Sequence, residues 1–257
     1  MGAVEPPLIH GQGTPASAWA ACPVLQALPG CSAGQLLPDG ARAVVVAPHP
    51  DDELLAVGGL MQQWLAAGRP VRVLGVTDGE AGLPAGDATP AARLARRRRI
   101  ERQRGLAHLG LPARAIQRLG LPDGGASDHE AQLVQRLTAL LRPGDQVFTT
   151  WRHDGHPDHE ATGRAAAAAC AAAGACLHEV PVWTWHWASP GDARVPWQRL
   201  RRVALPPAAR QAKQRALAEH RSQLQAPQGS QPILPGWALA RWLRPWEYLL
   251  APVVPSP

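Results

Sequence analysis

The most regular part of the chain opens with five apolar residues in a row, Ala43–Ala47 (AVVVA). A short β-branched run without polar alternation is the pattern of a strand buried on both faces, as in a parallel sheet. Leu54, Val57, Leu60, Met61, Trp64 and Leu65 then recur at helical spacing, and Gly68 and Pro70 end that helix. Val71–Val76 predicts a second strand, and residues 78–90 a loop of Gly, Pro and Asp. Ala91–Leu109 reads as a helix closed by Gly110–Pro112, and Ala115–Leu119 as a weak strand. Leu133, Val134, Leu137, Leu140 and Leu141 mark another helix, stopped by Pro143 and Gly144. Gln146–Thr150 is the next strand, followed by a polar loop over 151–158 and an alanine-rich helix over Glu160–Ala173 that Gly174 closes. Leu177–Trp187 reads as a long strand with alternating tryptophans, and Pro206–Leu224 as a helix. The Pro- and Trp-rich tail 226–257 carries weaker structure. Residues 1–40 read as an irregular N-terminal arm, with a short helix near Ala16–Ala21.

Strands alternating with helices imply right-handed crossovers and a mostly parallel sheet covered on both faces, an α/β domain of three layers. No repeat and no linker divides it, so one domain over 41–257 follows the arm.

Two polar segments stand out against this pattern. Pro48-His49-Pro50-Asp51-Asp52-Glu53 follows the first strand, and Asp154-Gly155-His156-Pro157-Asp158-His159 follows the strand Gln146–Thr150. Both fall where a parallel strand ends and a helix begins, the edge at which open α/β sheets hold ligands. Imidazole and carboxylate together suit zinc or a similar divalent metal, and three protein ligands with an open position make a catalytic site. His49, Asp52 and His159 are candidates for the three ligands. Asp51 is placed to take a proton from an activated water, and His156 to stabilise an oxyanion and protonate a leaving amine. Either segment alone is also accounted for as a polar turn, with Asp51 or Asp52 capping one helix and Asp158 the other. Two such segments, both at strand ends, favour a metal site.

The pair APHPDDE and DGHPDH resembles the PIG-L/LmbE family of zinc-dependent deacetylases, which act mainly on N-acetylglucosaminyl groups. Thr77-Asp78-Gly79-Glu80, the Arg98-x-x-Glu101 helix with Leu109-Gly110, and Leu121-Pro122-Asp123-Gly124 fit the same pattern, as do Lys213, Ala216-Leu217 and His220-Arg221-Ser222-Gln223. The likeness spans most of residues 42–250. It implies a Rossmann-like fold with Zn2+, or another divalent metal, held by His49, Asp52 and His159. It further implies Asp51 as general base, and His156 as general acid or electrostatic catalyst. By the same resemblance Asp158 orients His156, and Arg98 contacts substrate. One departure is Asp154, which stands where some members carry a substrate-contacting tyrosine. Another is Ala56 in place of a common glycine.

The implied reaction is removal of an N-acetyl or other N-acyl group from an amino sugar or sugar-bearing small molecule by attack of metal-activated water. An amidase for a non-sugar amide, such as a thiol conjugate, uses the same residues.

Composition adjusts the picture only in part. The charge is +6 from 26 basic and 20 acidic residues, with an isoelectric point near 10. That balance raises a different class, a non-catalytic arginine-rich protein for nucleic acid. Seven arginines lie within 93–104, but the run wraps all sides of a helix and no aromatic platform interleaves with it. A solvated helix face is the simpler reading, so no nucleic-acid partner is expected. No apolar run reaches membrane length, so no membrane partner is expected. The start of the chain lacks the basic and apolar regions of a Sec-type leader, and the four cysteines form no C-x-x-C pair. These point to buried thiols and a cytoplasmic protein. Seven of the ten tryptophans lie beyond residue 180, a candidate wall or lid, and Trp151 is the best single candidate to stack on a sugar ring. The oligomeric state is open.

Overall fold

A computed structural model describes residue 9 and residues 11–252. Eight strands form one sheet: β1 (Gly30–Cys31), β2 (Ala43–Ala47), β3 (Val71–Gly75), β4 (Ile116–Arg118), β5 (Gln146–Thr150), β6 (Cys176–Val180), β7 (Leu200–Ala204) and β8 (Trp246–Leu250). Their order across the sheet is β1-β7-β8-β6-β5-β2-β3-β4. The run β6-β5-β2-β3-β4 is parallel throughout, and β8 lies antiparallel between β6 and β7. Besides two short 3-10 turns, eleven α-helices lie among the described residues. They are α1 (Ala16–Ala20), α2 (Pro23–Ala27), α3 (Ala33–Leu36), α4 (Asp52–Ala66), α5 (Ala91–His108), α6 (Glu130–Leu140), α7 (Pro157–Ala173), α8 (Thr184–Trp187), α9 (Pro207–Ala218), α10 (Arg221–Leu224) and α11 (Gly236–Leu239). The fold is the expected mixed α/β architecture with helices on both faces.

β2 is buried along its whole length, and its alternate side chains feed two cores. Val45 packs with Leu60, Trp64 and Phe148 on one face. Val44 and Val46 pack with Leu133, Leu137 and the alanines of α7 on the other. Alanine at 165, 166 and 169, all fully buried, lets α7 lie close on the sheet. Gly163 makes the same approach possible, because a Cβ there would meet the Thr150 carbonyl at 2.8 Å.

The chain runs β2 to β3 to β4 in one direction, then returns to place β5 on the other side of β2. β2 and β5 are therefore the switch point of the sheet, and a crevice opens beyond their carboxyl ends. The loops that leave those two ends are the two polar segments.

Four expectations are corrected. The strand read over Leu177–Trp187 ends at Val180. Pro181 has no N–H for a ladder, and the next three N–H groups, of Val182, Trp183 and Thr184, all donate to the carboxylate of Asp154. The chain then turns into α8, so Trp183, Trp185 and Trp187 share no strand face. The helix read over Pro206–Leu224 is two helices, broken at His220. In the arm the short helix expected near Ala16–Ala21 is present as α1, but the stretch after it is not irregular: it folds into α2 and α3, and β1 extends the sheet by pairing with β7. Residues 1–8 and 10 of the arm lie outside the described residues. In the tail, β8 is a full strand in the interior of the sheet. No helix among the described residues is long and apolar enough to cross a membrane.

Candidate active site

The loop after β2 turns sharply at Asp51, whose φ of 132° is the one positive value at a non-glycine position among the described residues. That conformation is strained for a side-chain-bearing residue. It is held by its surroundings: Leu54 and Leu55 N–H both donate to the Asp51 carbonyl at 2.8 Å. Gln223 Nε2 donates to Asp51 Oδ2 at 2.6 Å. Immediately behind, Glu53 is fully buried and pairs with Arg102, Nε to Oε1 at 3.1 Å.

The turn brings Asp52 back over His49. The His49 backbone N–H donates to Asp52 Oδ2 at 2.9 Å, and His49 Nδ1 lies 3.1 Å from the same oxygen. From the other loop His159 enters, with Nε2 3.2 Å from that same Asp52 oxygen. His49, Asp52 and His159 thus converge, two from one segment and one from 107 residues later, as the sequence reading expects.

The other nitrogen of each imidazole is fixed by a carboxylate. His159 Nδ1 is 2.8 Å from Asp154 Oδ2. Asp154 accepts as well from the Thr184 hydroxyl at 2.6 Å and from the three N–H groups named above. With four other donors on it, Asp154 is an acceptor, so His159 donates from Nδ1 and its Nε2 faces the cluster. That Nε2 is buried and makes no hydrogen bond. His49 Nε2 lies 3.1 Å from both Asp123 Oδ1 and Asp158 Oδ2. A carboxylate behind each ligating imidazole is the usual support of a metal site. Burial opposes a charge on either ring, but the surrounding carboxylates outweigh it. Asp123, Asp158 and Asp52 hold the His49 pKa well above the ordinary value. Asp52 and Asp154 push His159 up to about 9. The cluster thus calls for positive charge, and an orphaned imidazole nitrogen beside a carboxylate oxygen fits a divalent cation. These residues fit a metal.

His156 starts α7. Its Nδ1 accepts the Asp158 N–H at 3.2 Å, so the imidazole caps the helix and its proton sits on Nε2. Burial, and then the charge of His159 and His49, press its pKa down to about 3, which keeps it neutral. Asp51 is pushed the other way, up to about 8, by burial and by Asp52 and Glu53 beside it. A cavity of about 120 Å3 joins these groups, lined by His49, Asp51, Asp52, Arg98, Asp123 and His156 and walled by Trp183, Ile233 and Leu234.

Of the supporting residues, Arg98 is 3% exposed and lines the cavity. Its guanidinium donates to the carbonyls of Gly79 at 2.5 Å and Gly82 at 2.7 Å, which shapes the loop after β3. Gly79 has φ 71°, and a Cβ there would strike Arg98. Asp158 does not orient His156 through its side chain. Its carboxylate faces His49 and takes the N–H groups of Gly124 at 2.8 Å and Ala126 at 3.0 Å. Asp154 is fully buried and holds His159. Trp151 is 4% exposed and packs in the core, so it is not a stacking platform. Sequence reasoning missed Asp123 and Gln223 as site residues. Each lies in a matched segment, Leu121–Gly124 and His220–Gln223, but only the fold brings them to His49 and Asp51.

Residues 44–170 match the family described as PIG-L, GlcNAc-PI de-N-acetylase. No curated protein matches the chain. Among solved structures, the A40926 pseudoaglycone deacetylase Dbv21 is 21% identical with a TM-score of 0.64, covering 85% of this chain and 100% of its own. The N,N'-diacetylchitobiose deacetylase from Pyrococcus horikoshii is 20% identical with a TM-score of 0.58, over 79% of this chain and 74% of its own. A conserved protein, TT1542, from Thermus thermophilus is 26% identical with a TM-score of 0.57, over 84% and 95%.

Proposed function

Because the chain carries a PIG-L family domain, we propose that it is a metal-dependent N-deacylase. It removes an N-acetyl or similar N-acyl group from an amino sugar or a sugar-bearing small molecule. The observation that carries the reading is the convergence of His49, Asp52 and His159 beside Asp51 at the switch point of the sheet. Two of the similar structures are named as deacetylases, one of diacetylchitobiose and one of a pseudoaglycone, which supports an acylated sugar as the substrate class.

His49 Nδ1, Asp52 Oδ2 and His159 Nε2 would hold the metal, zinc being the metal expected. When bound, it supplies Lewis acidity, lowering the pKa of the attacking water and polarising the amide carbonyl. The rest falls to the protein's own groups. Asp51, outside the ligand triad, takes the proton as the water oxygen bonds to the carbonyl carbon. Gln223 holds one Asp51 oxygen at 2.6 Å, leaving the other to face the water. The neutral His156 donates from Nε2 to the oxygen on which charge develops. When the C–N bond breaks, the proton on Asp51 passes to the amine, leaving a free carboxylate and the amino sugar. One carboxylate thus both accepts and returns that proton.

The test is acetate release from a panel of N-acetylated amino sugars, their glycosides and simple non-sugar amides. Activity on the sugars, lost with a chelator and restored by Zn2+, is the expected result. Activity confined to non-sugar amides would overturn the substrate class, and turnover indifferent to chelation would overturn the metal.

A further inference from the structure

A second cavity, a groove of about 390 Å3, opens beside the catalytic pocket. Trp183, Ile233 and Leu234 line both and form their common wall. We propose that this groove is a substrate subsite for an uncharged apolar or aromatic group carried by the amino sugar, an aglycone whose amide end enters the catalytic pocket. The inference rests on the deacylase reading above and names the substrate's other half.

Four observations lead there. The catalytic pocket, at about 120 Å3, is well below the ~300–1,000 Å3 that encloses a whole small-molecule ligand. It takes the acyl amide and its immediate carbons, and the remainder of the substrate lies outside. Among the described residues the adjoining groove has no Asp, Glu, Lys or Arg in its lining. Its one titratable lining side chain is His186, buried with its ring 5.6 Å from that of Trp183, so the lining favours an uncharged group. Trp237 lies on the groove and is 46% exposed, one of three large hydrophobic residues left so among the described residues. An exposed tryptophan on the rim of a cavity is a surface that a bound apolar group would cover.

The groove is also firmly built. The Arg241 guanidinium stacks on Trp237, 5.2 Å from the ring centroid, and is itself 1% exposed. The same side chain donates to the carbonyls of Thr14 at 2.7 Å and of Gln12. One buried arginine thus ties the 231–238 wall to the 11–14 wall. On the catalytic side, the Trp183 N–H is held by Asp154, the carboxylate that also fixes His159. The wall between the cavities is therefore set by the group that sets a candidate metal ligand, so a ligand in the groove is registered against the reacting amide.

The test uses methyl, butyl and octyl 2-acetamido-2-deoxy-β-D-glucopyranosides, each below its micellar concentration, with the zinc-loaded full chain. Two readings are taken on each, the dissociation constant by calorimetry and acetate release. Each fully covered methylene strengthens binding by up to about threefold to fourfold, so octyl over methyl should gain tenfold to a hundredfold in a partly open groove. The variants are Trp237→Ser, which removes the rim, and Gln231→Glu, which places a charge at it. Both should lose most of the octyl gain while kcat on the methyl glycoside stays within about twofold, and Trp237→Phe should restore most of it. Equal affinity for all three chains, or an octyl gain unchanged in both variants, overturns the subsite. An octyl gain that the variants abolish, with no acetate released from any glycoside, upholds the subsite and overturns the deacylase reading.

Discussion

The two sides of the sheet are built by different rules. The parallel side, β4-β3-β2-β5-β6, follows from short apolar strands and helical crossovers. It delivers every candidate metal ligand from the loops at its carboxyl edge. The other side, β1-β7-β8, is assembled from the first forty and last sixty residues, with β8 antiparallel between β6 and β7. Among the described residues it contributes no candidate ligand. It contributes a brace. Glu247 on β8 accepts the N–H groups of Gly59 at 2.7 Å and Leu60 at 2.8 Å, and pairs with Lys213 at 2.7 Å. Lys213 also donates to the Leu55 carbonyl. These bonds serve backbone groups freed where α4 kinks at Val57, and α4 is the helix that begins with Asp52. The contrast is between a side that carries the candidate site and a side that holds the site's helix in shape and walls the pocket.

Substitutions should separate the two. The largest effect belongs to Asp51→Asn, which should lower kcat by about 10³-fold, within the range of a lost general base. Metal content and unfolding midpoint should stay close to wild type; turnover near wild type would remove Asp51 as the base. On the bracing side Glu247→Gln should do the reverse. It strands a buried ammonium, and breaking such a pair costs about 3–5 kcal/mol. Urea unfolding should show that loss, while the remaining folded protein still binds metal. A change below about 1 kcal/mol would refute the brace.

The next effect lies under the parallel side. His178 on β6 stacks on Phe148, with ring centroids 4.6 Å apart, and burial lowers its pKa to about 4. The folded protein keeps the ring neutral where the unfolded chain protonates it near 6.5. The sign follows: the contribution is intact above pH 6.5 and is lost as pH falls towards 4, by at most about 3 kcal/mol. His178→Phe should flatten the stability profile across that window, and an unchanged slope would count against it. The smallest effect is that of Asp154→Asn, which weakens the hold on His159. It should lower metal affinity about 10- to 100-fold, read by competition with a chromogenic chelator; unchanged affinity would show that Asp154 does not support the ligand.

The same contrast governs how much was legible in the sequence. Strands β2, β3 and β5 are readable because each is a continuous apolar run bounded by breakers, a pattern set by burial on both faces. The two motif loops are readable because their neighbours are. Strand β8 (WEYLL) is flanked by Pro245 and reads as part of a Pro- and Trp-rich tail; only a slot between β6 and β7 makes it a strand. The false strand at 181–187 has the same cause. Its tryptophans alternate, but the N–H groups there serve a buried carboxylate 28 to 30 residues earlier. Trp151 follows a strand end where a platform is expected, yet its ring turns into the core. Asp123 and Gln223 act across distances of 74 and 172 residues, which no local pattern encodes. The arginine run divides in the same way: Arg98 and Arg102 are buried, bonded to loop carbonyls and to Glu53, a selection made by packing and not by spacing.

The central claim is that two loops, 100 residues apart in sequence, hold one metal ion between them. The direct measurement is the metal bound per chain, by elemental analysis after equilibration with Zn2+ and desalting. It should be made on the wild type, on Asp52→Ala from the first loop and on His159→Ala from the second. The account predicts about one ion per chain for the wild type and close to none for either variant, with all three folded by circular dichroism. Retention of a full ion by one variant would show that a single loop suffices and would contradict the shared site.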